Sequence, residues 1–115
     1  MNGTEFNKVV EEQIQHCKDL LISKGTEYKS TVDRFHTFDV AAGLQNCSSR
    51  QALAGMMAKH TVSVYDMCQG EDTYSLDRWE EKITDSINYL LLLKAMVIDE
   101  KAKKVKEDST NVVAV

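Results

Sequence analysis

Glu81, Asp85 and Asn88 stand at i, i+4 and i+7, a spacing that puts all three side chains on one narrow stripe of a helix. Two carboxylates one turn apart supply the oxygen ligands that Mg²⁺ takes, commonly alongside substrate phosphates. In that chemistry Glu81 and Asp85 are candidate metal ligands and catalytic carboxylates, with Asn88 on the ligand or the metal. The plainer reading of the stripe is a solvated helix face. Against it, Asp85 and Asn88 flank Ile87 just before the apolar run 89–93, and a polar side chain drawn inward must be hydrogen-bonded or bound to something.

A second constellation lies at 59–66. Lys59, Ser63 and Asp66 share a stripe, with His60 at its border. Lys59 can meet a phosphate as a point charge, and His60 can donate to phosphate or act as a general base. The alternative is a pair of surface charges beside a satisfied core histidine. A third, at 27–39, is dense in polar side chains. There Arg34, near a helix start whose first N–H groups are donors, can receive an anion. Asp33 can equally serve only as a cap, and His36 only pair with Asp39. Phe35 and Phe38 read as core. The row Glu12, His16, Asp19 reads as solvated surface. No phosphate-binding glycine loop, nucleophile elbow or H-E-x-x-H metal motif occurs. Cys47, at a helix start, lacks an identifiable base partner.

These side chains must be positioned by a chain of 115 residues, 43% hydrophobic, with no proline and 5 glycines. That is one ordinary domain with few interruptions to helix. A net charge of −4 argues against a nucleic-acid polymer as partner, since such proteins present a basic face, yet leaves a small nucleotide open. Cys17, Cys47 and Cys68 are odd in number and widely spaced, so neither a disulfide framework nor a zinc cage is indicated. The start lacks the basic and apolar regions of a signal peptide, and the apolar runs broken by Lys94 are too short for a bilayer. The expectation is a cytoplasmic protein with no membrane partner.

Four helices follow from 3.6-residue periodicity. The first spans about 4–24, with Phe6, Val9, Val10, Ile14, Cys17, Leu20 and Leu21 as its stripe, Thr4 as cap and Gly25 as stop. The second starts near Ser30, where Ser30 and Asp33 have capping-box spacing, carries Phe35, Phe38, Ala41, Ala42 and Leu44, and ends near 43–46. The third starts at Ser48, whose spacing to Gln51 is that of a capping box, turns Leu53, Met56, Met57, His60, Val64 and Met67 inward, and stops at Gly70. The fourth starts at Ser75 and continues towards Lys104, its lysines suiting a helix C-terminus. Short loops favour an antiparallel four-helix bundle. The expected organisation is one all-α domain over 1–105 and a tail over 106–115. The apolar fourth helix suggests a homo-oligomer.

Three stretches carry a resemblance: Lys24 to Tyr28 with Asp33 to Phe38; Met56 to Met67; and Trp79 to Leu92. Together they resemble small proteins of phages and prophages akin to the nucleotide-modification-associated domain family. More distantly the all-α arrangement resembles MazG-like nucleoside triphosphate pyrophosphohydrolases, which hold Mg²⁺ with E-x-x-E and E-x-x-D helix motifs. Here Glu81 to Asp85 is E-x-x-x-D, the second acidic helix motif is missing, and Lys59 and His60 stand in its place. The resemblance implies a phage-type nucleotide-binding protein, in the host cytoplasm, with Mg²⁺-dependent pyrophosphohydrolysis as its activity. Glu81, Asp85 and His60 would be catalytic, and Glu81 and Asp85 would hold Mg²⁺. Lys59, His60 and Arg34 would face the phosphates, His36 would be a further ligand-binding residue, Asn88 would contact sugar or base, and Tyr28 or Trp79 would pack on the base. The alternative is a non-catalytic homo-oligomeric sponge for a host nucleotide signal, or a module that binds a host protein.

Overall fold

The computed structural model describes residues 1–27, 33–70 and 73–113, with side chains for 1–22, 33–70 and 73–109. Among these residues the chain is all-α, with no strand: α1 Gly3–Glu27, α2 His36–Gln45, α3 Ser49–Gln69 and α4 Leu76–Val113.

The chain's capping residues set most of these limits. Ser48 accepts from the Gln51 N–H at 3.1 Å and Gln51 returns the bond to the Ser48 N–H at 2.9 Å, so the expected capping box starts α3. Ser75 accepts from the Arg78 N–H at the start of α4. Asn46, at φ 55, closes α2 in the left-handed conformation that Asn tolerates. The first helix differs from expectation. Its cap is Asn2, which accepts from the Glu5 N–H at 2.9 Å while Glu5 reaches back to the Asn2 N–H. Gly25 does not stop it, because one interior glycine costs a helix only about 1 kcal/mol. The second helix starts at His36, later than the expected start near Ser30, and its N-cap is Phe35, which makes no side-chain cap bond. Asp33 forms a turn just ahead of it, accepting from the Phe35 N–H through its side chain and the His36 N–H through its carbonyl. Ser30 lies outside the described residues. The last helix also differs: α4 runs on through 106–113, the stretch expected to be a tail. Its lysine cluster therefore sits within the helix rather than at its end.

The core is built by three helices. Phe38 of α2, Leu53 of α3 and Met96 of α4 are buried together, with Met56, Tyr89, Leu92 and Leu93 packed around them. The α3 side chains expected to face inward do so, Leu53 and Met67 most completely. The two longest-packed helices are antiparallel, since Arg50 pairs with Glu100 and His60 faces Asp85. α1 packs on α4 and, among the described residues, on no other helix. Gln13 meets Thr84, and Leu21 further along shares a cavity wall with Asn88 and Leu92, so α1 runs in the same direction as α4. Of its expected inward stripe Cys17 is buried, whereas Phe6, Val9, Val10 and Ile14 are exposed. Leu44 of α2 is exposed as well. The molecule measures 61 × 33 × 27 Å with a radius of gyration of 18.2 Å, against about 13 Å for a compact chain of this length. Its long axis is that of α4, whose 38 residues span about 57 Å. No helix among the described residues is long and apolar enough to cross a membrane.

Candidate functional site

A cavity of about 300 Å³ opens where α1, the start of α2, α3 and α4 meet. That is the lower end of the range for small-molecule sites, roughly 300–1,000 Å³. Each helix reaches it for a local reason. The turn at Asp33, whose side chain accepts from the Phe35 N–H, precedes α2 and leaves Arg34 against α1, where its Nη2 donates to the Leu21 carbonyl at 3.2 Å. The buried face of α3, with Ala52, Leu53 and Met67, turns inward, and Met56 and His60, one turn apart, lie beside it in the cavity wall. The row Asp85, Asn88, Leu92 on α4 forms the facing wall.

Four of the residues singled out by type and spacing are thus brought together: Arg34, His60, Asp85 and Asn88 all line this cavity. His60 Nδ1 lies 3.7 Å from Asp85 Oδ2. That is close enough for charge attraction when the imidazole is protonated and too long for a hydrogen bond. The same nitrogen is buried with no hydrogen-bond partner, and so is Asn88 Oδ1. The His60 ring rests against Tyr89, with centroids 5.0 Å apart and planes at 38°. The remaining wall is apolar, from Leu21, Phe38, Met56 and Leu92, with Thr37 adding a hydroxyl.

The other candidates lie elsewhere. Glu81 is exposed and not in the cavity wall. It shares the stripe of Asp85 and Asn88 but sits one turn earlier along α4. Lys59 is also exposed, because the rotation that turns His60 inward carries its neighbour about 100° away. His36 occupies the first turn of α2 and is exposed. Trp79 is half-buried against Tyr74, edge to face at 6.2 Å, away from the cavity. Tyr28 lies outside the described residues. The row on α1 is surface, Glu12 paired with Lys8 and Asp19 with Gln15. Leu21, Thr37 and Tyr89 are cavity residues that spacing did not single out. Tyr89 stands at i+4 from Asp85 and could have been found; Leu21 has no sequence link to the other three helices.

The donor set bears directly on Mg²⁺. Among the described residues no three His, Cys, Asp or Glu side chains converge as a metal site. Asp85 is, among the described residues, the one carboxylate in the wall, and it already faces His60. These residues do not fit a protein-held Mg²⁺ ion. What they offer is a guanidinium, an imidazole–carboxylate pair, an amide oxygen in need of a donor, and an apolar floor. No family model, no curated protein and no solved structure matches this chain.

Proposed function

We propose that this cavity binds a small phosphate-bearing molecule of the nucleotide class and holds it without reaction. The observation that carries the reading is the pair of buried, unpartnered polar atoms, His60 Nδ1 and Asn88 Oδ1, in a wall that also holds Arg34. An unsatisfied buried polar group costs about 1–3 kcal/mol, which a ligand of the right pattern recovers. Asn88 Oδ1 takes a donor such as a base amino group or sugar hydroxyl. Arg34 favours an anionic group, and Leu21, Met56 and Tyr89 accept a flat apolar face. The resemblance to phage nucleotide proteins points the same way, and a sponge for a nucleotide signal needs no more than this.

Pyrophosphohydrolysis is the second reading, favoured by the facing of His60 and Asp85. The carboxylate would orient the imidazole as general base, and Asp85 would share any Mg²⁺ that arrives with the ligand's phosphates. One experiment separates the two. The protein is heated with nucleoside mono-, di- and triphosphates and cyclic nucleotides, with and without MgCl₂, and each incubated nucleotide is then chromatographed. A raised melting temperature with the nucleotide recovered intact supports binding without reaction. Turnover that needs Mg²⁺ and disappears in Asp85→Ala replaces it with the hydrolase. No shift with any nucleotide sinks both.

A further inference from the structure

α4 has a second apolar face. Leu76, Ile83, Leu90, Leu91, Ile98 and Val105 lie on the side of the helix opposite Met96 and Tyr89. A groove of about 510 Å³ runs beside them, floored by Ile87 and Leu91 of α4 and walled by Ile14 and Ile22 of α1. The six α4 residues, with Ile14 and Ile22, are 39% to 71% exposed. That amounts to on the order of 700 Å² of apolar surface at roughly 150 Å² per side chain. The largest apolar patch on a typical monomer is about 300–600 Å², and each partner in a standard interface buries about 800 Å².

The pattern along this face reads the same in both directions. Leu76 and Val105, Ile83 and Ile98, and Leu90 and Leu91 are each equidistant from one midpoint on α4. Glu80 and Lys101 are equidistant from it as well, with opposite charges, and so are Ile87 and Lys94, whose long stem can cover an apolar neighbour. Two copies of such a helix laid antiparallel match apolar residue to apolar residue and acid to base, which is what an isologous twofold contact requires.

We propose that the protein dimerises through this face, with α4 antiparallel to α4 of a second copy about a twofold axis at the Leu90–Leu91 level. The α1 helix of each copy flanks the pair, completing a four-helix arrangement that the single chain leaves half built. Glu80 of each copy meets Lys101 of the other. Among the described residues the groove and the ligand cavity share one lining residue, Leu21 of α1, and none of the six exposed α4 residues but Leu91 lines either.

Sedimentation equilibrium across a concentration series tests this. The expected mass is twice the 13.0 kDa of the chain. Glu80→Lys and Lys101→Glu each place like charges together twice across the axis, and each is expected to weaken association at least tenfold. The double variant E80K/K101E restores opposite charges and is expected to recover the native dissociation constant, which also shows that each substitution leaves the fold intact. A chain that sediments at 13.0 kDa throughout, an assembly indifferent to both single substitutions, or a double variant no better than either one overturns the proposal.

Discussion

Replacing Asn88 by leucine should make the ligand-free protein more stable while removing its capacity to bind. Asn88 is half-buried and its Oδ1 has no hydrogen-bond partner. Leucine is close to it in size and brings no acceptor. Relief of one unsatisfied acceptor contributes about 1–3 kcal/mol, and the lower figure applies at a cavity that water can enter. Helix propensity favours leucine over asparagine by roughly 0.5 kcal/mol. The expected gain is therefore about 1.5 kcal/mol, or roughly 6 °C in melting temperature for a chain of this length. Urea unfolding followed by helical circular dichroism measures it, at one fixed protein concentration because association shifts apparent stability. Repeating the series with ATP should move the native protein and leave Asn88→Leu unmoved. A gain that stops near 0.5 kcal/mol is propensity alone, and a loss means that the amide is holding the protein together; either result refutes the orphaned acceptor.

Two further changes probe the elements that carry the site. Leu53→Ala empties a fully buried position among Phe38 and Met96 and should cost about 2–5 kcal/mol in urea unfolding. Ser48→Ala removes the acceptor that starts α3. It should cost about 1 kcal/mol in the same unfolding experiment.

Local chemistry was legible in the sequence where a residue acts on its neighbours. Ser48 with Gln51, Ser75, Asn46 and Gly70 mark helix limits because a cap bonds within a few residues of itself. The convergence of Arg34, His60, Asp85 and Asn88 was legible in part, since stripe spacing tells which side chains share a face. It does not tell how far along the helix the opposing wall extends. Glu81 and Asp85 share a stripe, yet only Asp85 reaches the level at which α3 and α1 close the cavity. The α1 stripe shows the same limit from the other side. Phe6, Val10 and Ile14 have core periodicity and lie exposed, because periodicity predicts an apolar face without naming what covers it. The all-α fold was legible throughout, whereas the parallel course of α1 along α4 rests on contacts such as Gln13 with Thr84, far apart in the chain.

That last contact has a bearing on the order in which the molecule assembles. Gln13 and Thr84 are separated by 71 residues, whereas α3 and α4 follow each other across a short connection. Closing the longer loop costs about 1 kcal/mol more chain entropy than bringing His60 to Asp85. It is rewarded by little, since among the described residues α1 adds no side chain to the cluster of Phe38, Leu53 and Met96. The physical expectation is that α2, α3 and α4 collapse first and that α1 docks last and leaves first. Leu21, and the carbonyl that holds Arg34, travel with α1. On that order the cavity closes with α1, and the ligand proposed for it would act as the latch on that last step.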